Sequence, residues 1–310
     1  MKSALVGYTG FVGSNLKESF QFSGKYNSKN IESAYGTKPE LLVYAGVRAE
    51  KFLANAYPIQ DYEATLQALN HIKQISPKKL VLISTIDVYN TPQNVNEKTE
   101  IDISNLQPYG ANRYKLECSI RDCYPDALII RLPALFGKNI KKNFIYDYIH
   151  RVPSMLSPSK MTELSKQIVG LNEYYHIQKS GFYKYSPLNQ NGDIQLKHQF
   201  ESSGFTALNF TDSRNCYQFY NLTYLWTDIC KALDFGVSLL NVATEPISAG
   251  ELYQYLSGDS FVNINSNMPI EYNFLSIYAE QFGGRNGYLY PKGQIMKEIK
   301  EFVEAELQSC

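Results

Sequence analysis

Short apolar runs alternate along the first half of the chain with stretches whose apolar positions recur at helical spacing. Residues 3–6, Ser-Ala-Leu-Val, end at a glycine, and over residues 14–22 Leu16, Phe20 and Phe22 follow at roughly helical intervals, which predicts strand, tight turn and helix. Residues 40–45 form a second apolar strand, and Leu66, Leu69, Ile72 and Ile75 line one side of a predicted helix over 60–75. A third strand is predicted at 79–84, a helix over 109–122, and a fourth strand at 127–132. Continuous apolar strands separated by amphipathic helices indicate an α/β fold with a doubly wound parallel sheet, helices on both faces and right-handed crossovers.

The pattern changes from about 139 to 205, where Lys, Ser, Gln and Tyr dominate and periodicity weakens, so an insertion or smaller second lobe is expected there. Residues 215–234, with Tyr220, Leu222, Leu225, Trp226 and Ile229, are predicted to return to the main sheet, with a short strand at 239–242 beyond it and a last helix over 291–307.

Gly7, Gly10 and Gly13 stand between the first strand and the first helix in a G-x-x-G-x-x-G pattern. Such glycines permit a tight turn and close backbone approach, and the helix that follows points unpaired N–H groups and its positive dipole end outward. This is the Rossmann arrangement, and it predicts that Gly7, Thr9, Gly10, Phe11, Val12 and Gly13 hold the pyrophosphate of NAD or NADP. The plain alternative is a glycine-rich turn in another α/β protein. No acid stands where the ribose-binding carboxylate is expected, and the region 25–30 offers Asn27 and Ser28 for a ribose and Lys29 for a 2′-phosphate. That composition tips the expectation toward NADP. Ala45 and Gly46, after the second strand, and Pro133, after the fourth, complete the expected cofactor contacts.

Composition narrows the partners further. Lys plus Arg and Asp plus Glu both number 30 in 310 residues, so no net charge favours nucleic acid or an anionic membrane, and a small-molecule ligand is expected. Cys118, Cys123, Cys216, Cys230 and Cys310 show no paired spacing of the kind that binds zinc, so reduced thiols and no metal are expected. No window approaches about 18 uninterrupted apolar residues and the start lacks a signal-like apolar region, which predicts a cytoplasmic protein.

After the third strand comes Ser84, Thr85, Ile86, Asp87, Val88, Tyr89, and later Pro108, Tyr109, Gly110, Ala111, Asn112, Arg113. With the glycine turn and the segment Arg131 to Gly137, these motifs resemble the extended short-chain dehydrogenase/reductases of the NAD-dependent epimerase/dehydratase family, most of which act on nucleotide-linked sugars. The resemblance covers about the first 140 residues; beyond that, residues 240–246 are its clearest echo. It implies a dinucleotide-binding domain over 1–138 and about 208–235, and a substrate-binding lobe over about 139–207 and 236–310. It also implies a homodimer paired through helices near the tyrosine motif.

The chemistry can be argued from the side chains. Hydride transfer at a carbinol carbon needs an acid or base on its oxygen, and a phenol serves when a cation is near. Tyr109 is the candidate. Arg113, four residues on, shares its helix face, where it can stabilise the phenolate and touch the nicotinamide ribose, and Thr85 can hydrogen-bond the same substrate oxygen from a strand end. Separately, Tyr109 with Arg113 reads as a surface cation–aromatic pair and Thr85 as a strand cap; their joint spacing favours a site. The family has lysine at the position of Arg113. Arginine keeps the charge but cannot share protons, which leaves three readings: an active enzyme, a slow one, or a cofactor- and nucleotide-sugar-binding regulatory protein without turnover. Lys115 is expected on another face.

The family's dehydratases carry an Asp-Glu pair directly after the threonine, where this chain has Ile86 and Asp87, which argues against 4,6-dehydration. Its C3/C5 epimerase-reductases carry a cysteine at the place of Asp87, which argues against that activity too. Reduction of a 4-keto-sugar is favoured over C4 epimerisation, with a non-sugar carbonyl as a further alternative. Substrate contacts are expected from residues 46–51, Arg48 foremost, from Asn55, Thr85 and Asp87, and from Lys142 and Asn143 beside a diphosphate. The family fits two more strands between the first helix and residue 40, and at least one must be missing here.

Overall fold

The computed structural model describes residues 2–178 and 180–309. The chain folds as two compact units, one made of the chain up to Ile140 with Cys216–Ile247 and Glu271–Ile295, the other of Lys141–Asn215, Ser248–Ile270 and the chain from Met296.

The first unit is organised by a six-stranded sheet. Its strands are β1 (Ser3–Val6), β2 (Gly24–Tyr26), β3 (Leu41–Tyr44), β4 (Lys79–Thr85), β5 (Leu128–Leu132) and the strand Leu239–Asn241. Across the sheet the order is Leu239–Asn241, β5, β4, β3, β1, β2, and every neighbouring pair is parallel. Because side chains alternate across a strand, the apolar runs divide between two cores. Leu5, Val43, Val81, Leu128 and Ile130 fall on one side with Leu16 of the helix α1 (Phe11–Ser19) and Leu225 and Ile229 of the helix Leu225–Asp234. Ala4, Val6, Leu42, Leu80, Leu82 and Ile129 fall on the other, with Ala68, Ile72 and Ile75 of α3 (Pro58–Ile75) and Leu116 and Ile120 of α4 (Pro108–Cys123). A short helix, α2 (Lys51–Ala56), precedes α3. Both α3 and α4 begin with proline in the first turn, where its missing N–H costs nothing.

All strands being parallel, their C-terminal ends share one edge. The chain runs from β1 outward to β2 on one side and then to β3 on the other, so the strand order reverses between β1 and β3. Ligands of open parallel sheets bind at such a switch point, beyond the strand C-termini.

Three expectations are corrected. Residues 215–234 contribute no strand to the main sheet: Phe219–Asn221 pairs in parallel with Ala134–Phe136 in a separate two-stranded sheet, and the apolar residues that follow form the amphipathic helix Leu225–Asp234 facing α1. The strand at 239–241 is itself the sixth strand, in register with Ile129–Arg131, because Leu240 is wholly buried against the core. Residues 236–247 and 271–295 consequently belong to the first unit rather than to the second lobe. Between α1 and β3 a single short strand, β2, occupies the space.

The second unit contains an antiparallel sheet ordered Met155–Leu156, Tyr183–Tyr185, Tyr175–Ile177. Its core gathers Val152, Leu156, Met161, Leu164, Ile168, Leu171, Tyr175, Leu196 and Phe200. Among the described residues no helix is long and apolar enough to cross a membrane, and no cluster of three or more His, Cys, Asp or Glu could hold a metal ion. Among the described residues Cys118, Cys123, Cys216 and Cys230 take part in no disulfide; Cys310 lies outside the described residues.

Candidate active site

The turn after β1 is built almost entirely from backbone. Gly7 adopts φ +90°, its N–H donates to the Tyr26 carbonyl at 2.7 Å, and a Cβ there would collide with the Ala45 carbonyl after β3. A Cβ on Gly13 would collide with the Gly7 carbonyl. Both glycines are therefore required by close approach of the chain to itself. Gly10 differs: it is exposed, and a Cβ added there would meet only the Gly7 carbonyl, at 3.3 Å. It is also the N-cap of α1, and no described side chain caps that helix. The first N–H groups of α1 lack intrahelical partners by geometry and open beside the switch point, with Thr9 exposed and Phe11 and Val12 half-buried around them. This cradle fits a pyrophosphate.

Asn27, Ser28 and Lys29 lie directly after β2, on the same edge. Asn27 is occupied by its own turn, its Oδ1 accepting the Lys29 N–H at 2.9 Å and its N–H donating to Asn30 Oδ1 at 2.7 Å. Ser28 and Lys29 are exposed. Ala45 and Gly46 follow β3 and face Gly7 across the switch point, while Pro133 follows β5.

Thr85 ends β4 and caps the tight turn Ile86–Val88, its Oγ1 accepting the Asp87 N–H at 3.2 Å. Gly110 brings α4 against this turn, because a Cβ on it would collide with the Asp87 carbonyl. That approach sets Tyr109 beside Thr85. Arg113 lies one helical turn on, its Cζ 4.6 Å from the centre of the Tyr109 ring. The structure thus brings Thr85, Tyr109 and Arg113 together. Burial raises the Tyr109 phenol above its ordinary range; the Arg113 charge opposes this, Asp87 adds to it, and Thr85 and Lys51 oppose it.

Arg113 is 5% exposed and held on three sides. Its guanidinium grips Asp61 of α3 through Nη1 to Oδ2 at 2.8 Å and Nη2 to Oδ1 at 2.9 Å, and Nη2 also donates to the Arg48 carbonyl at 2.6 Å. A planar fork can make this bidentate contact and an ammonium cannot. Asp61 also accepts from Asn112 Nδ2 at 2.9 Å. Lys115 instead lies over the Tyr62 ring at 5.0 Å, on a different face.

A second ion pair joins α2 to the turn after β4. Lys51 Nζ, at the start of α2, is 2.7 Å from Asp87 Oδ1, with side-chain exposures of 48% and 22%. The Tyr272 hydroxyl lies 3.4 Å from Asp87 Oδ1, and burial with the Asp87 charge pushes its phenol up to about 12. Asp87 Oδ2 in turn lies 3.4 Å from Thr85 Oγ1.

The remaining predicted contacts are placed less directly. Asn55 Oδ1 accepts the Tyr109 N–H at 2.9 Å, so it tethers the start of α4. The Arg48 side chain is exposed while its carbonyl serves Arg113. Asn143, in the second unit, caps the helix Phe144–His150 by accepting the Ile145 and Tyr146 N–H groups, and Lys142 precedes it.

Behind the site a buried network fixes α4. Glu117 and Arg131, 0% and 1% exposed, are joined through Arg131 Nη2 to Glu117 Oε2 at 2.6 Å. Ser84 Oγ donates to Glu117 at 2.6 Å, and Arg131 Nη1 to the Tyr89 hydroxyl at 2.7 Å. Tyr109, Arg113 and Glu117 form a polar stripe at i, i+4 and i+8 on a buried helix face, a pattern visible in the sequence. Their partners were not visible: Asp61, Lys51 as an ion-pair member and Tyr272 come from distant segments with no spacing signal.

No family model matches the chain, and no curated protein matches it. Among solved structures it is similar to dTDP-4-dehydrorhamnose reductase from Yersinia enterocolitica, with a TM-score of 0.64 at 14% identity over 99% of this chain and 100% of that one. RMD from Pseudomonas aeruginosa, complexed with NADPH, matches with a TM-score of 0.64 at 14% identity over the whole of both chains. UDP-glucose 4-epimerase from Thermotoga maritima, with UDP-glucose, matches with a TM-score of 0.62 at 12% identity over 98% of each. At such identities the likeness establishes the fold, which is the one shared by these reductases and epimerases.

Proposed function

We infer that the protein binds a nicotinamide dinucleotide on the turn after β1 and reduces the keto group of a nucleotide-linked sugar, with Tyr109 as the acid. The observation that carries this reading is the meeting of Thr85, Tyr109 and Arg113 at the strand C-terminal edge, and the phenol's protonation accords with it. Burial outweighs the opposing Arg113 charge and keeps Tyr109 protonated at neutral pH. Ketone reduction consumes a proton at the carbonyl oxygen, whereas C4 epimerisation begins by removing one from a hydroxyl. A held phenol suits the first.

When bound, the reduced nicotinamide supplies the hydride. Tyr109 gives its proton to the carbonyl oxygen as that oxygen becomes an alkoxide, and the Thr85 hydroxyl hydrogen-bonds the same atom. Arg113 lies against the ring and stabilises the phenolate that remains. Asp61 and the Arg48 carbonyl keep the guanidinium in place, so it acts as a fixed charge rather than a proton carrier. Support for this substrate class comes from the fold shared with sugar-nucleotide reductases and epimerases, and support for the cofactor from the backbone cradle and the NADPH bound by RMD. The exposed Lys29 beyond β2 favours NADP over NAD.

The test is turnover of a panel of nucleotide 4-keto-sugars with NADPH and NADH, compared with Tyr109→Phe. The variant should lose about 100-fold or more in kcat with dinucleotide affinity unchanged. Activity that survives in Tyr109→Phe would remove the phenol from the mechanism. A second reading, dinucleotide binding without turnover, is favoured by the full engagement of Arg113 with Asp61; dinucleotide binding with no turnover on any member of the panel would select it.

A further inference from the structure

The strand Leu239–Asn241 ends the main sheet, and a cavity of about 420 Å³ lies against it, between that strand and α4. Ile101, Tyr114, Leu239 and Tyr278 give the cavity apolar and aromatic walls, and Lys98, Arg121 and Arg131 bring positive charge to it. No residue given to the dinucleotide or to the keto sugar lines it. Its volume falls within the range of small-molecule sites.

The charges around this cavity do not balance. Among the described residues lining it Glu97 is the one carboxylate, and both its oxygens are taken up by neighbouring chain. Oε1 accepts the Asn241 N–H at 2.8 Å and the Ser276 hydroxyl at 2.6 Å, and Oε2 accepts the Ile277 N–H at 2.9 Å. Behind the wall, Glu117 Oε2 serves two guanidinium groups at once, Arg131 Nη2 at 2.6 Å and Arg121 Nη2 at 3.1 Å. One carboxylate cannot neutralise both, and the buried Arg131 holds the closer contact. Arg121 is 37% exposed, and among the described residues its Nε and Nη1 meet no acceptor. The exposed Lys98 amine likewise pairs with no carboxylate among the described residues. Three cations thus face two carboxylates, beside apolar walls that strengthen the field of the unpaired charge.

We propose that this cavity is a second ligand site, separate from the turn after β1, and that it takes an organic carboxylate carried on an aromatic ring. The planar carboxylate fits the unused side of the Arg121 fork, with Lys98 adding its charge, and the ring lies against Tyr114 and Tyr278. A single negative charge cancels the excess, whereas the two charges of a phosphate monoester overshoot it. Arg121 stands one helical turn beyond Glu117 on α4, the helix that also carries Tyr109, so the ligand adds a partner to the far end of that helix and leaves the dinucleotide cradle open. The inference does not depend on Tyr109 acting as an acid.

Isothermal titration calorimetry of the full chain with benzoate, with its neutral counterpart benzamide and with phenyl phosphate tests this. Benzoate should bind once per chain with a Kd below about 1 mM. Benzamide should bind at least about 10-fold more weakly, phenyl phosphate should bind no more tightly than benzoate, and added NADPH should leave the benzoate affinity unchanged. Arg121→Gln should weaken benzoate about 10-fold or more. Ser238→Trp puts a ring at an exposed position on the cavity wall, away from the buried ion pair, and should block benzoate with the circular dichroism spectrum unchanged. Absence of benzoate binding would overturn the site. Benzamide binding as tightly as benzoate, or phenyl phosphate binding more tightly, would overturn the carboxylate. Benzoate binding that survives both variants, or that yields to NADPH, would place the ligand elsewhere. A protein that bound benzoate but no dinucleotide would instead overturn the proposed reductase and leave this site standing.

Discussion

The turn after β1 and the tyrosine site after β4 share one edge of one sheet but are made of different materials. The first is backbone: Gly7 and Gly13 are dictated by contacts with carbonyls, and what it would offer an anion is the N–H groups that begin α1. The second is side chain: Tyr109 depends on Thr85, on the Arg113–Asp61 pair and on the Lys51–Asp87 pair, drawn from α2, α3, α4 and β4. A backbone site tolerates change outside its glycines and fails abruptly at them. A side-chain site degrades by steps, according to which charge loses its partner.

The largest expected effect lies in the glycines. Gly13→Ala and Gly110→Ala each drive a methyl into a carbonyl and should lower unfolding free energy in urea by about 3 kcal/mol or more. Gly10→Ala should cost less than about 1 kcal/mol, because only one atom stands near its Cβ, yet weaken NADPH binding about 10-fold by narrowing the cradle. If all three glycines behaved alike, the division between packing and binding glycines would be wrong.

Next comes the buried ion pair. Asp61→Asn leaves the Arg113 guanidinium largely unpaired at 5% exposure and should cost about 3 kcal/mol in the same urea experiment. Arg113→Lys should cost less, about 1–2 kcal/mol, for the lost fork contacts, while turnover holds or rises because an ammonium can share protons. A complete loss of turnover in Arg113→Lys would contradict the fixed-charge role.

The smallest effect, and the one that sharpens the direction of reaction, is the pH profile. The active form for reduction is the protonated phenol, and burial places its pKa above the ordinary value of 10.0. The reduction rate should therefore hold through neutral pH, with no loss attributable to Tyr109 below about pH 9, and fall only above the raised pKa. The oxidising direction should gain rate as pH rises. A reduction rate that climbed with pH across neutrality would put the phenolate, and so epimerisation, back in favour.

The same contrast explains what the sequence disclosed. The glycine turn was legible because a backbone site must be written in local spacing, and the sheet because buried parallel strands read as apolar runs. Tyr109, Arg113 and Thr85 were legible as a set since helix periodicity and a strand end place them together. Asp61 and Tyr272 were not, because an ion-pair or hydrogen-bond partner from a distant segment leaves no periodic trace. The boundary of the second lobe was misjudged for a related reason. The strand at 239–241 is three residues long, and only its pairing with β5 shows that it closes the main sheet.

The most direct measurement of the account is fluorescence titration of the purified protein with NADPH and NADH, in the wild type and in Gly10→Ala. Saturable binding of at least one dinucleotide by the wild type, weakened in the variant, is the predicted result. Failure of the wild type to bind either would contradict the assignment of the turn after β1, and with it the role given to Tyr109.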